Sequence, residues 1–317
     1  MSGHRDHGGG IDAACARFGG ERGDWLDLST GINPVPYPIH AFAADAWTAL
    51  PDAAARDHLV QAARSFWNVP AQAAVLAAPG ASSLIARLPG VFGAPDRVDI
   101  ETPTYNEHAA AFRAQGWQVG TGQVGTGQAP VQVVVHPNNP DGRLWPARAL
   151  SGAHVIIDES FCDIAPAQSH IARAAREDTV ILKSFGKFWG LAGLRLGFAI
   201  GAPKVIDRLA DLIGPWPVAG PALDIGARAL SDQGWAQDTR ARLGQDAARL
   251  DRMMVAKRAL PLGGCDLFRL YEVEDARAWQ ARLAQGRVWS RIFPYSQRWI
   301  RLGLPAPQRW AQLEAAL

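Results

Sequence analysis

The chain has 317 residues, 48% of them hydrophobic, and its 32 Lys and Arg against 30 Asp and Glu leave a formal net charge of +2. That balance excludes the concentrated basic excess of a protein whose main partner is nucleic acid. The apolar fraction excludes a chain disordered along its length.

Taken in chain order, the polar, Gly- and His-rich start lacks the apolar segment of a signal peptide. Turn signals at Gly31–Pro38 make the first 40 residues read as an arm rather than a domain. Strands are predicted at Val75–Ala78, Arg97–Glu101, Val131–His136, His154–Asp158, Thr179–Lys183 and Leu196–Ile200. Helices are predicted between them at Ala54–Phe66, Ser83–Leu88 and Asn106–Gln115. Apolar strands separated by helices predict a parallel-rich sheet covered on both faces. Beyond the turn-rich Pro215–Pro221 come a long helix (about Trp235–Ala259), a strand (Leu267–Val273), a helix (Ala276–Ala284), a strand (Trp299–Leu304) and a closing helix. That order predicts a second, smaller α/β lobe. The expected division is an arm at 1–40, a large domain at 41–220 and a small domain at 221–317.

No apolar run reaches the ~18–20 residues of a membrane span. Cys15, Cys162 and Cys265 are too far apart for a metal-type CxxC or a disulfide framework. A soluble, cytoplasmic protein with no membrane partner and no metal is therefore expected. Gly120-Thr-Gly-Gln-Val-Gly125 matches the dinucleotide pattern GxGxxG, which needs a helix directly after it. Gly127, Pro130 and a β-branched run follow instead, so a Gly-rich hairpin or loop is expected there.

Only four of the 32 cations are lysines, namely Lys183, Lys187, Lys204 and Lys257, so lysine chemistry has few places to occur. Lys183 falls in a strand and Lys204 and Lys257 in helical stretches. Lys187 lies in Ser184-Phe-Gly-Lys-Phe-Trp-Gly190, a Gly-flanked turn after a strand, with Arg195 eight residues on. A partly desolvated lysine at a strand end can attack a carbonyl, and Ser184 and Arg195 offer a hydroxyl and a fixed cation for a phosphate. Taken alone, Lys187 reads equally as a surface lysine in a loop. Two further segments change the balance. His136-Pro-Asn-Asn-Pro-Asp-Gly142 offers a side-chain amide at Asn139. Val155-Ile-Ile-Asp-Glu-Ser-Phe161 ends an apolar strand at Asp158, where open parallel sheets bind ligands. Separately, Asp158 could cap a helix and Asn139 could shape a turn. With the lysine they form a set of parts for pyridoxal phosphate.

In this order the motifs resemble the fold-type I pyridoxal-phosphate enzymes of the class I/II aminotransferase superfamily, over essentially the whole chain. The resemblance implies a large domain with a mostly parallel seven-stranded sheet flanked by helices, a small α/β domain, and a homodimer with active sites at the interface. It makes Lys187 the lysine that carries the cofactor, Asp158 the partner of the pyridine nitrogen and Asn139 the partner of the phenolic oxygen. Tyr105 matches the aromatic that stacks on the ring, and Gly80, Ala81 and Ser82 the helix-opening loop that binds the cofactor phosphate. Ser184 and Arg195 match the remaining phosphate ligands. Arg301 matches the arginine for the substrate's α-carboxylate, a role suited to a guanidinium.

Within the superfamily, His7-Gly-Gly9, Asp27-Leu-Ser-Thr-Gly-Ile-Asn-Pro34 and Val288-Trp-Ser-Arg-Ile-Phe293 are similar to the threonine-phosphate decarboxylases of cobalamin biosynthesis. Histidinol-phosphate aminotransferases are the near relatives and the alternative. The resemblance implies decarboxylation of L-threonine O-3-phosphate to (R)-1-amino-2-propanol O-2-phosphate. Arg291 becomes a second anion contact beside Arg301, with Gly31, Asn33 and His7 as further substrate contacts; His7 reads equally as an unengaged N-terminal histidine. Four positions depart from the wider pattern. Phe161 stands for a tyrosine that reaches the phenolic oxygen, and Leu50 for a tyrosine that reaches the partner subunit's cofactor phosphate. His136 replaces an asparagine, and Gly186 a small hydroxyl residue before the lysine. A non-catalytic regulator of the same fold is disfavoured, since no DNA-binding module remains once the lobes are assigned.

Overall fold

The structure is a computed structural model that describes residues 7–121 and 129–317. The chain divides into two compact units: residues 36–139 with 144–237, and residues up to 35 with 140–143 and 238–317. Most of the GxGxxG segment, 122–125, lies outside the described residues.

The first unit holds a seven-stranded sheet. Its strands are β1 (Ala74–Ala78), β2 (Arg97–Ile100), β3 (Gln118–Gly120), β4 (Val131–Val135), β5 (His154–Asp158), β6 (Thr179–Ser184) and β7 (Gly197–Gly201). They lie in the order β1-β7-β6-β5-β4-β2-β3. The pairings β6/β5, β5/β4, β4/β2 and β2/β3 are parallel, and β7 alone runs against both its neighbours. The four central strands are apolar on both faces because both faces are covered: β4 and β7 are buried at every residue. Each buried Val or Ile there contributes ~1.5–3 kcal/mol. The parallel strands bring their C-terminal ends, Ala78, Val135, Asp158 and Ser184, to one edge, where such sheets carry their chemistry.

Helices Ala53–Trp67, Ala81–Arg87, Asn106–Ala114, Pro203–Ile213 and Gly220–Ser231 belong to this unit. Helix Ala81–Arg87 starts two residues earlier than its apolar periodicity predicts. Gly80, at φ 82°, turns the chain directly from β1 into the helix, which puts Ala81 and Ser82 in the first turn.

In the second unit, strands Leu260–Cys265, Phe268–Glu272, Arg291–Phe293 and Ser296–Gly303 form a sheet that is antiparallel throughout. The short strand Arg291–Phe293 reverses the chain before Ser296–Gly303 enters, so the strands on either side of the helix Ala276–Gln285 pair antiparallel. Residues up to 35 group with this sheet rather than standing apart as an arm. Helix Ile11–Phe18 precedes strand Leu26–Asp27, which pairs in parallel with Val288–Trp289. Trp289 donates its indole N–H to the Gly9 carbonyl at 3.0 Å and meets Trp25 edge-on. Lys257 lies just beyond the helix Gln233–Ala256. Among the described residues, no helix is long and apolar enough to cross a membrane.

Candidate active site

At the C-terminal edge of the large sheet a pocket is lined by eight residues singled out from the sequence: Ala81, Ser82, Tyr105, Asn139, Asp158, Ser184, Lys187 and Arg195. Segments more than 100 positions apart in sequence meet there because β1, β4, β5 and β6 all end on that edge. Ala81 and Ser82 open the short helix after β1, and Tyr105 immediately precedes helix Asn106–Ala114. Asn139 follows β4, Asp158 ends β5, and Ser184 ends β6 with the Lys187 turn directly after it.

Asp158 is almost fully buried. Its Oδ2 lies 2.8 Å from His108 Nε2, and its Oδ1 accepts the Ser160 backbone N–H at 3.0 Å and the Ser160 hydroxyl at 2.5 Å. Burial pushes this carboxyl upward, but the His108 and Ser160 hydrogen bonds outweigh it and hold Asp158 below its ordinary range. Asp158 therefore stays ionised, an ionised carboxylate only accepts, and His108 must donate from Nε2. The anion suits a partner that carries an N–H, such as a protonated pyridine.

Tyr105 is bonded to Ser82, and its hydroxyl is pushed up to about 12, first by burial and then by the charges of Asp158 and Glu107. It remains a neutral donor at physiological pH. Arg195 sits at the left-handed φ of 54° and approaches Gly80 so closely that a Cβ there would lie 2.5 Å from its Nη2. A glycine is needed at 197 too, where a Cβ would collide with Ala81 N and Gly80 C. The β7 backbone thus lies hard against the helix start. Lys187 Nζ lies 5.5 Å from the centroid of the buried Phe161 ring, a cation–π distance. Phe161 lines the pocket without the hydroxyl that a tyrosine would bring.

The other predicted residues lie in the second unit. Arg291 and Arg301 face each other as register partners on adjacent antiparallel strands. Like charges so placed repel unless an anion intervenes. Arg301 is buried, donates from Nη2 to the Ser29 carbonyl at 2.8 Å and lies 4.9 Å from the centroid of Phe268. Burial, with Arg291 beside it, lowers its guanidinium to about 10, so it is still a cation at neutral pH. Arg291 donates to the backbone carbonyl of the exposed His7. Asn33 is buried with its Oδ1 engaged by Val35 N–H and Arg242 Nη2, and Gly31 is buried nearby in sequence.

Sequence reasoning missed His108, Ser160 and Arg242. His108 was legible as the residue one helical turn after Tyr105, and Ser160 as the second residue after Asp158, spacings at which side chains meet. Nothing local marks Arg242, which reaches Asn33 across 209 positions. His136 serves the structure. Its Nδ1 accepts the Trp145 backbone N–H, its Nε2 bonds the Gln168 carbonyl, and burial keeps it neutral.

A sheet with one reversed strand, carrying a lysine, an aspartate and the start of a short helix at its C-terminal edge, has the architecture of the aminotransferase fold. The chain belongs to the aminotransferase class I and II family, whose model matches residues 24–317. A threonine-phosphate decarboxylase from a Sinorhizobium species is 39% identical over 311 residues, covering 94% of this chain and 92% of that protein. One from Pseudomonas aeruginosa is 36% identical, covering 98% and 97%. The crystal structure of a histidinol-phosphate aminotransferase from Sinorhizobium meliloti in complex with pyridoxal-5'-phosphate superposes with a TM-score of 0.78 at 20% identity, covering 98% of this chain and 93% of that one. At that identity it speaks for the fold alone.

Proposed function

We propose that the protein is a pyridoxal-phosphate enzyme that decarboxylates L-threonine O-3-phosphate to (R)-1-amino-2-propanol O-2-phosphate, a step of cobalamin biosynthesis. The observation that carries the reading is 36–39% identity to threonine-phosphate decarboxylases over nearly the full length of both chains.

The pocket fits the cofactor group by group. Lys187 Nζ would hold the aldehyde carbon, and the ionised Asp158 the pyridine N–H. Asn139 would bond the phenolic oxygen, and Tyr105 would cover the ring. Gly80, Ala81, Ser82, Ser184 and Arg195 would take the phosphate, in keeping with the close approach of Arg195 to Gly80 and of Gly197 to Ala81. When bound, the cofactor supplies a protonated pyridine that accepts the electron pair of the bond broken at the substrate's Cα.

The chain's own residues do the remainder. Asp158, held ionised by His108 and Ser160, keeps the pyridine proton in place through turnover. Lys187 Nζ, as the free amine, would be the general acid that returns a proton to Cα after CO2 departs. Arg301 binds the substrate carboxylate, and Arg291, with Gly31, Asn33 and His7, the substrate phosphate. A substrate that carries two anions relieves the repulsion between guanidiniums set opposite each other. Arg301, as the partner of the carboxylate, would set the orientation of the Cα–carboxylate bond.

The enzyme is proposed to act as a cytoplasmic homodimer. Ile39, Trp47, Leu50 and Trp216 of the first unit are each more than half exposed, apolar side chains that a second copy would shield from water. Purified protein incubated with threonine phosphate should release CO2 with no keto acid present. Conversion only after 2-oxoglutarate is added would overturn the decarboxylase reading in favour of an aminotransferase of histidinol-phosphate type.

A further inference from the structure

One step away from the pocket, on the same two strands, lies a charged cluster that the reaction does not use. Consecutive residues of a strand point to opposite faces. Ser184 lines the pocket, and the preceding Lys183 is buried away from it. Asp158 faces the pocket, and the following Glu159 is fully buried and bonded elsewhere. Glu159 backbone N–H donates to the Leu182 carbonyl at 2.9 Å, continuing the β5/β6 ladder. Lys183 Nζ meets Glu159 Oε2 at 2.7 Å, so an ion pair ties the two strand ends together directly beside the site.

The cluster continues to the Lys187 turn. Lys183 Nζ also lies 3.5 Å from Asp163 Oδ1. Asp163 accepts the Trp67 indole N–H on Oδ1 at 2.8 Å and the Trp189 indole N–H on Oδ2 at 3.2 Å. Trp189 stands two residues after Lys187 and is stacked on Phe185 at 5.0 Å and on Trp235 at 5.3 Å. Ser169 Oγ and His170 N–H, each at 2.6 Å, complete the shell of Glu159. A path therefore runs from Glu159, next to Asp158, through Lys183 and Asp163 to Trp189 in the Lys187 turn. Burial opposes the charge on Lys183, but Glu159 and Asp163 outweigh it and hold the ammonium well above its ordinary range.

We propose that Glu159, Lys183, Asp163 and Trp189 form a buried strut that fixes the placement of Lys187 against Asp158, making all four positioning residues for the cofactor site. Replacing a buried ion pair by apolar groups often leaves stability unharmed, so such a pair needs a reason beyond stability. Here it offers one. A hydrophobic cluster would hold the strands together but would not aim the turn through a directed indole–carboxylate bond.

The inference rests on the cofactor reading above, and its test reads the cofactor rather than the substrate. Trp189→Phe keeps the aromatic stack and removes only the N–H that ties the Lys187 turn to Asp163. Glu159→Gln keeps the shape and removes one charge. In the holoenzyme each should change the visible circular dichroism of bound pyridoxal phosphate. Each should also speed its loss on dialysis roughly tenfold and lower kcat roughly tenfold, with KM within about twofold. Because both act through one strut, the double variant should cost less than the product of the singles. If both variants lower only the melting temperature, leaving the dichroism, the cofactor release and kcat as in the parent protein, the cluster merely holds the fold and the proposal fails. Should the parent protein not decarboxylate threonine phosphate, the substrate assignment falls while the dichroism and release measurements still decide the strut.

Discussion

His108 offers the sharpest single test of how the site is tuned. Its Nε2 lies 2.8 Å from Asp158 Oδ2, and the two side chains are 1% and 3% exposed, so no water replaces the bond when it is cut. A hydrogen bond to a buried charged group contributes about 1.5–3 kcal/mol. At ~1.4 kcal/mol per factor of ten, His108→Leu should lower kcat/KM roughly ten- to a hundredfold if that energy is lost from the transition state. The variant should also lose pyridoxal phosphate faster on dialysis. The pH dependence has a defined sign. Asp158 is depressed in the folded protein, so it contributes stability that is present above its unfolded value and lost as pH falls through its folded value. Without His108 only the Ser160 bonds oppose burial, so the same carboxyl lies higher than in the parent protein. The stability deficit of the variant should therefore be greatest at neutral pH and shrink on acidification, measured by urea unfolding between pH 7 and pH 4. His108→Gln retains an amide donor and should recover part of the loss. Equal kcat/KM, equal cofactor retention and a deficit independent of pH in His108→Leu would refute the argument.

Lys187→Ala should fold yet lack the long-wavelength absorbance of lysine-bound cofactor; a surviving band at that position would move the assignment to another lysine. Arg301→Gln should raise KM for threonine phosphate by roughly ten- to a hundredfold, the worth of a charge-assisted bond of about 1.5–3 kcal/mol, with the cofactor spectrum unchanged. Gly197→Ala sets a methyl against Ala81 N and Gly80 C and should weaken cofactor retention at least about tenfold by equilibrium dialysis.

The parts of this protein that can be read from its sequence are those that local chemistry decides. β4 to β7 are runs of Val, Ile, Leu and Ala too apolar for any surface, and their bounds in the structure differ from expectation by one residue at most. Lys187, Asp158 and Asn139 stood out because each ends or follows such a strand, and Tyr105 through the family resemblance; all four line one pocket. The antiparallel order of the second sheet was hidden, because the strand that reverses the chain, Arg291–Phe293, is only three residues long. The integration of the first 35 residues was hidden as well, since it depends on contacts between Trp25, Gly9 and Trp289 that lie more than 260 positions apart. Lys183 shows the limit most clearly. Its place in a strand was legible, but its two carboxylate partners could be found only once β5 and β6 lay side by side.

That pairing of early and late residues has a consequence for how the molecule is made. Strand Leu26–Asp27 leaves the ribosome before the seven-stranded sheet, but its partner Val288–Trp289 is synthesised after it. At about 5–20 residues per second, the 262 positions between Leu26 and Val288 take roughly 13–52 s to translate. The whole seven-stranded sheet, residues 74–201, can pair within that interval. The half of the protein that holds the cofactor pocket is thus free to form before the half that holds the arginines has its last strands. Strand Leu26–Asp27, made before that sheet, finds its partner only after it.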